Sequence, residues 1–300
     1  MKKHLIAAAV AGALAVPAMA QVSISGRIDT SVQNIDNGSD TATAVNPSLL
    51  TTNQIVISGS EDLGGGLKAR FVISSPFNSS QNGDLDFGQR GMAVYVGGGF
   101  GEIEIGRTPG TMFNSTTASG VTGNMGNLGT RNARPNNVVG YSTPAMGGVK
   151  ARLVHGVGVE TPGATANDDS QTEVSVEYKA GTVLVRLAHA KYDNTAAGDL
   201  TETGGQVDVD FGMAKVNARY IDREDVDKQY GIGVAVPLGS GLTAAIDYRN
   251  IDRDAGTEDT RTSATLVKAL SKRTNVYAAY QKDGKDADGS IMAVGVRHAF

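Results

Sequence analysis

The sequence predicts an all-β protein, a 16-stranded antiparallel transmembrane β-barrel whose third external loop folds inward. Three observations support this prediction. From residue 21 onward, short segments alternate apolar and polar residues, their connections alternate between short and long, and one long connection contains no acidic residue. Alternation with a period of two is the pattern of a strand with two different faces. One face is almost purely apolar and the other mixes Gly, Ser, Asp and Arg, which favours an apolar exterior around a wet interior.

Residues 1–20 have the pattern of a secretory signal peptide. Two lysines precede a short apolar run at 5–16, and residues 18–20 (Ala-Met-Ala) form a small-residue cleavage site. We therefore expect one exported mature domain, residues 21–300, and a barrel of the predicted kind would lie in the outer membrane, surrounded by its lipid. Beyond the leader, no apolar run approaches the roughly 18 residues that a helical span needs.

The composition of the mature chain excludes several classes. Without the two leader lysines, 25 basic residues stand against 31 acidic ones, a net charge of −6, and there is no Cys. A disulfide framework or a thiolate metal site is therefore impossible, and we expect no nucleic-acid partner. The composition fits either a large soluble β protein or an outer-membrane barrel, whose strands conceal their hydrophobicity by alternation.

Sixteen segments show the alternation. In the first, Val22, Ile24 and Ile28 share one face, whereas Arg27 and Asp29 share the other. The others lie at 55–57, 67–73, 92–96, 103–105, 139–141, 149–157, 174–178, 183–187, 207–211, 216–220, 230–236, 242–248, 264–266, 276–280 and 292–300. An even number suits an antiparallel barrel whose two ends meet.

The connections fall into two length classes in strict alternation. Seven are tight turns and eight are longer and polar. The long ones lie at 34–53, 75–87, 108–135, 158–170, 193–203, 222–228, 250–260 and 283–289. A membrane barrel has short turns at the periplasmic rim and long loops outside, so it produces this alternation directly. A soluble sandwich has no reason to separate its loops in this way.

The third long connection, residues 108–135, is called loop 3 below. It shows no apolar periodicity and is rich in Gly, Asn, Thr and Ser. No acidic residue occurs between Glu104 and Glu160, and the basic residues in that interval are Arg107, Arg131, Arg134, Lys150 and Arg152. A structureless segment of this length in a compact chain is usually functional. We expect loop 3 to fold into the lumen and narrow the pore.

Motifs along the whole mature chain resemble those of Gram-negative general porins of the β-proteobacterial and neisserial type. They are 59–69 (GSEDLGGGLKA), 98–101 (GGFG) with 106–107 (GR), Arg134 with 136–137 (NN) and 141–144 (YSTP), 269–274 (ALSKRT), and the terminus 295–300. The resemblance implies a homotrimer of 16-stranded barrels, each with an eyelet formed by the inward third loop. It implies passive diffusion of ions and small hydrophilic solutes, without a cofactor or enzymatic chemistry. The family's inward loop usually contributes acidic residues opposite an arginine cluster, whereas loop 3 has none.

Seven basic residues are the candidates for the pore constriction: Arg27, Lys68, Arg70, Arg90, Arg107, Arg131 and Arg134. Arg90 is included through the family resemblance. In a narrow aqueous passage with low-dielectric walls, such charges set ion selectivity. The alternative is that they are solvated and paired with Asp29, Glu102 or Glu104. Acidic residues at 222–228 and 250–260 would make the outer mouth negative, but exposed charges are screened beyond about 8 Å. We therefore predict a modest preference for anions.

The C-terminal strand ends in an aromatic residue, Phe300, which resembles the pattern by which the barrel-assembly machinery recognises its clients. No metal site is expected. Residues 283–289 lack the ligand spacing and closing Glu of an EF-hand, and His155, His189 and His298 lie on separate strands.

Two other functions remain open at this point. The main alternative is a surface adhesin or interaction barrel whose lumen is closed and whose external loops bind partners. A barrel hydrolase would need a catalytic grouping of Ser, His and Asp, and none stands out on the strands.

Overall fold

The computed structural model describes residues 21–80, 85–116, 121–158, 170–193, 198–285 and 288–300. The predicted signal peptide lies outside the described residues, as do parts of the long connections.

One antiparallel sheet contains all the strands of the described residues and closes on itself, because the first strand pairs with the last. The strands are β1 (Gln21–Asp36), β2 (Thr41–Pro47), β3 (Gln54–Gly64), β4 (Leu67–Pro76), β5 (Gly91–Gly98), β6 (Gly101–Arg107), β7 (Val138–Ser142), β8 (Val149–Gly156), β9 (Ser170–Ala180), β10 (Val183–Asp193), β11 (Leu200–Asp210), β12 (Lys215–Arg223), β13 (Asp227–Gly239), β14 (Leu242–Arg253), β15 (Glu258–Ala269), β16 (Thr274–Lys285) and β17 (Gly289–Ala299). Helix α1 (Thr111–Thr116) and a 3₁₀ helix (Gly123–Gly126) lie in loop 3. No helix among the described residues is long and apolar enough to cross a membrane.

Strands β2 and β3 share one position around the barrel. Strand β2 pairs with residues 30–36 of β1, and β3 pairs with residues 21–27 of the same strand. The seventeen described strands therefore occupy sixteen positions, and the predicted 16-stranded barrel is confirmed. The expectation of one external loop at 34–53 is wrong, because this stretch contains β2. The six residues between β2 and β3, 48–53, form what we call the strand-2 insert.

The alternation in the sequence separates an apolar outer face from a polar inner one. Ile24 and Val294 are each 68% exposed on the outside of the barrel, whereas Asp29 and Gln33 are buried on the inside. Exposed large apolar side chains occur on strands all round the barrel, and an apolar surface of this extent requires lipid around it rather than water. Ile246, at 54% exposure, belongs to this outer surface.

Two of the predicted long connections are shorter than expected. Strand β12 ends at Arg223 and β13 begins at Asp227, and the next hairpin continues to Arg253. Ion pairs join Arg223 to Asp227 and Arg253 to Asp259 on these hairpins. The ends of the strands carry polar residues on both faces, so the apolar alternation stops before the strand does.

Candidate pore constriction

Loop 3 packs against the inner face of the barrel through apolar side chains. Its helical segments correct the expectation of a structureless loop. Met112 and Leu128 are buried in a cluster with wall residues Ala188, Ala190, Tyr192 and Ile221. Met125 packs with Leu50, Tyr277, Ala279 and Ala293, and Val121 packs with Ala235 and Ala245. The wall carries small alanines where the loop approaches it, so the loop can lie close to the sheet.

A buried carboxylate of the wall binds the start of loop 3. Glu173, on β9, is fully buried. Its Oε2 accepts hydrogen bonds from the Met112 backbone N–H at 2.7 Å and from the Thr111 hydroxyl at 3.1 Å. A Cβ at Gly110 would lie 2.4 Å from Glu173 Oε1, so the close approach requires glycine there. A buried carboxylate is tolerable only when donors satisfy it, and here the loop supplies them.

A second carboxylate binds the far end of loop 3. Glu202, on β11, is 2% exposed. Its Oε1 accepts the Arg131 backbone N–H at 2.7 Å, and its Oε2 accepts the Tyr192 hydroxyl at 2.8 Å. The acidic residues missing from loop 3 are thus present on the wall, where the backbone of the loop hydrogen-bonds to them.

Polar wall residues hold the loop between these two carboxylates. Gln229 Oε1 accepts the Gly129 backbone N–H at 2.8 Å, and Arg249 Nη1 donates to the Asn127 carbonyl at 2.8 Å. The described part of loop 3 is therefore bound to the barrel near its start and along its second half.

At the base of loop 3, Arg152 joins the loop to the wall. It forms an ion pair with Glu104 at 2.7 Å and donates to the Pro109 carbonyl at 2.9 Å and to Thr108 Oγ1 at 3.1 Å. Glu104 is therefore occupied by Arg152 rather than by any of the seven candidate residues.

The strand-2 insert is a second inward segment that the sequence analysis missed. Asp29 is fully buried beneath it. Its Oδ2 accepts the backbone N–H groups of Leu50 at 2.9 Å and Thr51 at 2.7 Å, and its Oδ1 accepts the Tyr277 hydroxyl at 2.6 Å. Asp29 therefore holds the insert, although the sequence analysis considered it only as a counterion for arginines.

The insert supports the 3₁₀ helix of loop 3. The Leu50 carbonyl accepts the Asn124 backbone N–H at 2.8 Å, and the Ser48 carbonyl accepts Asn124 Nδ2 at 2.9 Å. The lumen is thus narrowed by two contacting segments. The sequence carried one signal for strand β2, which precedes the insert: the alternation Thr-Ala-Thr-Ala-Val at 41–45, which ends just before Pro47.

An open recess beside loop 3 and the strand-2 insert is lined by arginines but by no described acidic side chain. This recess has a volume of about 470 Å³ and is bordered by Arg27, Arg90 and Arg297, with no acidic side chain among its described lining residues. Arg27 Nε donates to the Thr52 carbonyl at 3.0 Å. Burial lowers the pKa of Arg90 to about 10, with repulsion from Arg134 and Arg27 adding to the effect. Arg90 therefore remains charged at neutral pH.

Arg297 was not among the sequence candidates. It shares the inward parity of Ala293 and Gly295 and lies directly across from Asp29 on β1. That parity was the signal by which it could have been found.

The structure places the three loop-associated candidates differently. The Arg134 guanidinium lies 4.5 Å from the Phe113 ring centroid, and Phe113 borders the arginine-lined recess. Burial, and next the neighbouring Arg107, lower the pKa of Arg134. Arg131 lies at the opposite wall, 5.7 Å from the ring centroid of Tyr192.

Arg107 does not share the inward face of its strand. It has the parity of Ile105, lies opposite the outward Met92, and hydrogen-bonds to the Gln89 carbonyl and to Asn136. The structure thus brings Arg27, Arg90 and Arg134 together and leaves Arg107 beside Arg134 but on the other face of its strand. Arg131 lies apart from all of them.

Lys68 and Arg70 lie elsewhere again, near the periplasmic end of β4. Arg70 forms an ion pair with Glu102 at 2.6 Å, as the alternative interpretation expected for this arginine, and its guanidinium lies 3.4 Å from the Tyr95 ring centroid. Both basic residues border a recess that shares no lining residue with the arginine-lined one.

A closed antiparallel barrel with an apolar exterior, a polar interior and an internal loop defines a membrane channel of the diffusion type. The chain belongs to the Gram-negative porin family, whose profile matches residues 7–288. It is 28% identical to Outer membrane porin protein 32 of Delftia acidovorans and 25% identical to Major outer membrane protein P.IB of Neisseria meningitidis serogroup B, each over 100% of both chains.

The fold is similar to that of a solved structure, the anion-selective porin from Comamonas acidovorans. The TM-score is 0.79 at 25% sequence identity, covering 94% of this chain and 100% of the other. The family resemblance, the passive channel function and the outer-membrane location predicted from the sequence are confirmed. The family and the fold indicate a channel rather than an enzyme.

Replacing Glu173 by Gln tests the role of the wall carboxylates. Glutamine keeps the volume but loses the charged acceptor of the Met112 N–H, which is worth about 1.5–3 kcal/mol. We expect loop 3 to loosen, so that single-channel recordings show larger current fluctuations in the open state. Glu177→Gln is the matched control, because Glu177 lies on the same face of β9 and pairs with Arg186 instead of the loop. Identical traces from the two variants would contradict this role.

Proposed function

We propose that the protein is a passive diffusion channel with a modest preference for small anions. The observation that supports this best is the recess bordered by Arg27, Arg90 and Arg297 without an acidic side chain among its described lining residues. Fixed charges of one sign in a narrow passage with low-dielectric walls raise the local concentration of the opposite ion. A related protein of known structure is described as an anion-selective porin.

The wall carboxylates do not cancel this positive field. Glu173 and Glu202 are buried and accept backbone N–H groups of loop 3, so their charges face fixed dipoles instead of the passage. Asp29 is likewise occupied by the strand-2 insert. These three luminal carboxylates therefore hold the constriction in place.

The external mouth is less negative than its acidic residues alone suggest. Asp227 pairs with Arg223, Asp259 with Arg253, and Glu258 with Lys285. These pairs neutralise part of the vestibule charge that the sequence analysis expected. The arginines of the constriction therefore dominate the field along the path of an ion.

Arg297→Ala tests the selectivity. The removal of one luminal charge costs an anion about 0.4–1 kcal/mol of interaction, which lowers the chloride-to-potassium permeability ratio roughly twofold to fivefold. The ratio is measured from the reversal potential across a planar bilayer under a KCl gradient. Lys228→Ala, on the outward face of β13, is the control and leaves the ratio unchanged. A wild-type channel that prefers potassium would overturn the proposed selectivity, and a silent bilayer would favour the adhesin alternative.

The predicted homotrimer, the cleaved leader and the recognition of Phe300 by the barrel-assembly machinery belong to the same proposal. The contacts of Phe300 support its proposed role in assembly. Its backbone N–H donates to the Gly26 carbonyl and its carbonyl accepts the Gly26 N–H, each at 3.0 Å, at the seam between the first and last strands. A Cβ at Gly26 would lie 2.5 Å from the Phe300 ring, so the ring covers that glycine.

Deleting Phe300 removes both the terminal aromatic signal and a pair of hydrogen bonds at the seam. We expect the amount of barrel in outer-membrane fractions to fall severalfold, while purified and refolded channels keep their conductance. Immunoblotting of fractions and bilayer recording measure the two quantities. Normal assembly in cells, or a loss of conductance as large as the loss of assembly, would contradict the expectation.

A further inference from the structure

The luminal wall has a second basic recess, distinct from the constriction. Its volume is about 460 Å³, and its lining includes Gly66 and Gly98. These glycines belong to the tight turns that follow β3 and β5, and short turns of this kind form the periplasmic rim of a membrane barrel. This recess therefore lies at the periplasmic end of the lumen, on a part of the wall that the arginine-lined recess does not share.

Three cations and one carboxylate border the recess. The cations are Lys68, Arg70 and Lys150, and the carboxylate is Glu102. Arg70 occupies both oxygens of Glu102, with Nε 2.8 Å from Oε2 and Nη2 2.6 Å from Oε1. A bidentate pair of this geometry satisfies both partners. Within this lining, the ammonium groups of the two lysines are left without a counterion.

The acidic neighbours of the two lysines are also engaged elsewhere. Asp62 lies across from Lys68, but its carboxylate accepts the Gly64 backbone N–H at 2.9 Å. Glu177 lies across from Lys150, but it pairs with Arg186 at 2.7 Å. No ion pair within 4.0 Å joins either lysine to a described carboxylate.

Hydroxyl groups complete the surface. Ser60, Ser142 and Thr143 border the same recess, so neutral donors lie beside the two ammonium groups. Two ammonium groups and several hydroxyl donors on one recess attract an anion with more than one negative charge more strongly than a monovalent anion. Chloride has a single negative charge and therefore gains less from the same two ammonium groups.

From this arrangement, and on the basis of the proposed anion channel, we propose that Lys68 and Lys150 form a second anion site at the periplasmic mouth. Its ligands are small multivalent oxyanions, with phosphate and polycarboxylates sharing the required chemistry. Such an anion stays bound at the exit, where it inhibits the entry of chloride from the periplasmic side. The lumen thus has two basic sites on different parts of its wall, the arginine constriction and this exit site.

Oriented single channels in planar bilayers test the exit site. Inorganic phosphate or citrate is added to one side at a time, and the inhibition of chloride current is followed against its concentration. In the wild type, we expect half-inhibition at a lower concentration from the periplasmic side. Lys68→Gln/Lys150→Gln raises that concentration about fivefold to tenfold on this side only, as expected for two exposed charge contacts. Lys150→Arg, which keeps the charge, retains the wild-type inhibition.

The control is Lys272→Gln, which removes a lysine from another tight turn outside the recess. If the concentration of anion that gives half-inhibition is unchanged in the double variant, the exit site is wrong. It is also wrong if Lys272→Gln raises that concentration equally, because the effect would then come from rim charge in general. A response to citrate alone or to phosphate alone supports the site and identifies its anion class. The reversal potential of the same wild-type channels in KCl tests the proposed anion preference separately.

Discussion

The hydrogen bonds between wall carboxylates and the backbone of loop 3 are the interaction on which the constriction depends. A loop inside a water-filled lumen gains little from leaving the solvent unless its polar backbone finds fixed partners. Glu173 and Glu202 supply these partners as buried charges, and a charged acceptor holds an N–H more strongly than water does. The same bonds explain why a loop without acidic residues can fold inward.

The use of wall carboxylates to bind the loop backbone also determines the electrostatic potential of the passage. Three luminal carboxylates bind the segments that narrow the passage: Asp29 binds the strand-2 insert, and Glu173 and Glu202 bind loop 3. Arg27, Arg90 and Arg297 border an open recess that has no acidic side chain among its described lining residues. The location of a charge, more than the net charge of the chain, therefore decides which ions the channel favours. A net acidic protein can in this way have a basic pore.

The barrel could be predicted because lipid imposes a period of two on each strand, and this pattern is local. Residues such as Ile24 and Ile246 have the outward orientation that their parity predicted. The strand-2 insert could not be found in the same way, because it depends on Asp29 meeting Tyr277, 248 positions away in sequence. Parity places Arg27 on the luminal side, but it does not tell whether a luminal arginine is paired. Arg70 and Arg152 pair with Glu102 and Glu104, each on a strand two positions away in the sheet.

Hydrogen exchange of the loop 3 amides in the folded, membrane-inserted barrel tests the central interaction most directly. The N–H groups of Met112 and Arg131 donate to buried carboxylates, and that of Gly129 donates to Gln229. A charged acceptor is worth about 1.5–3 kcal/mol, so the amides of Met112 and Arg131 should exchange about ten- to a hundredfold more slowly than those of an unstructured peptide. Exchange of these two amides at the rate of a free peptide would show that the wall does not hold the loop.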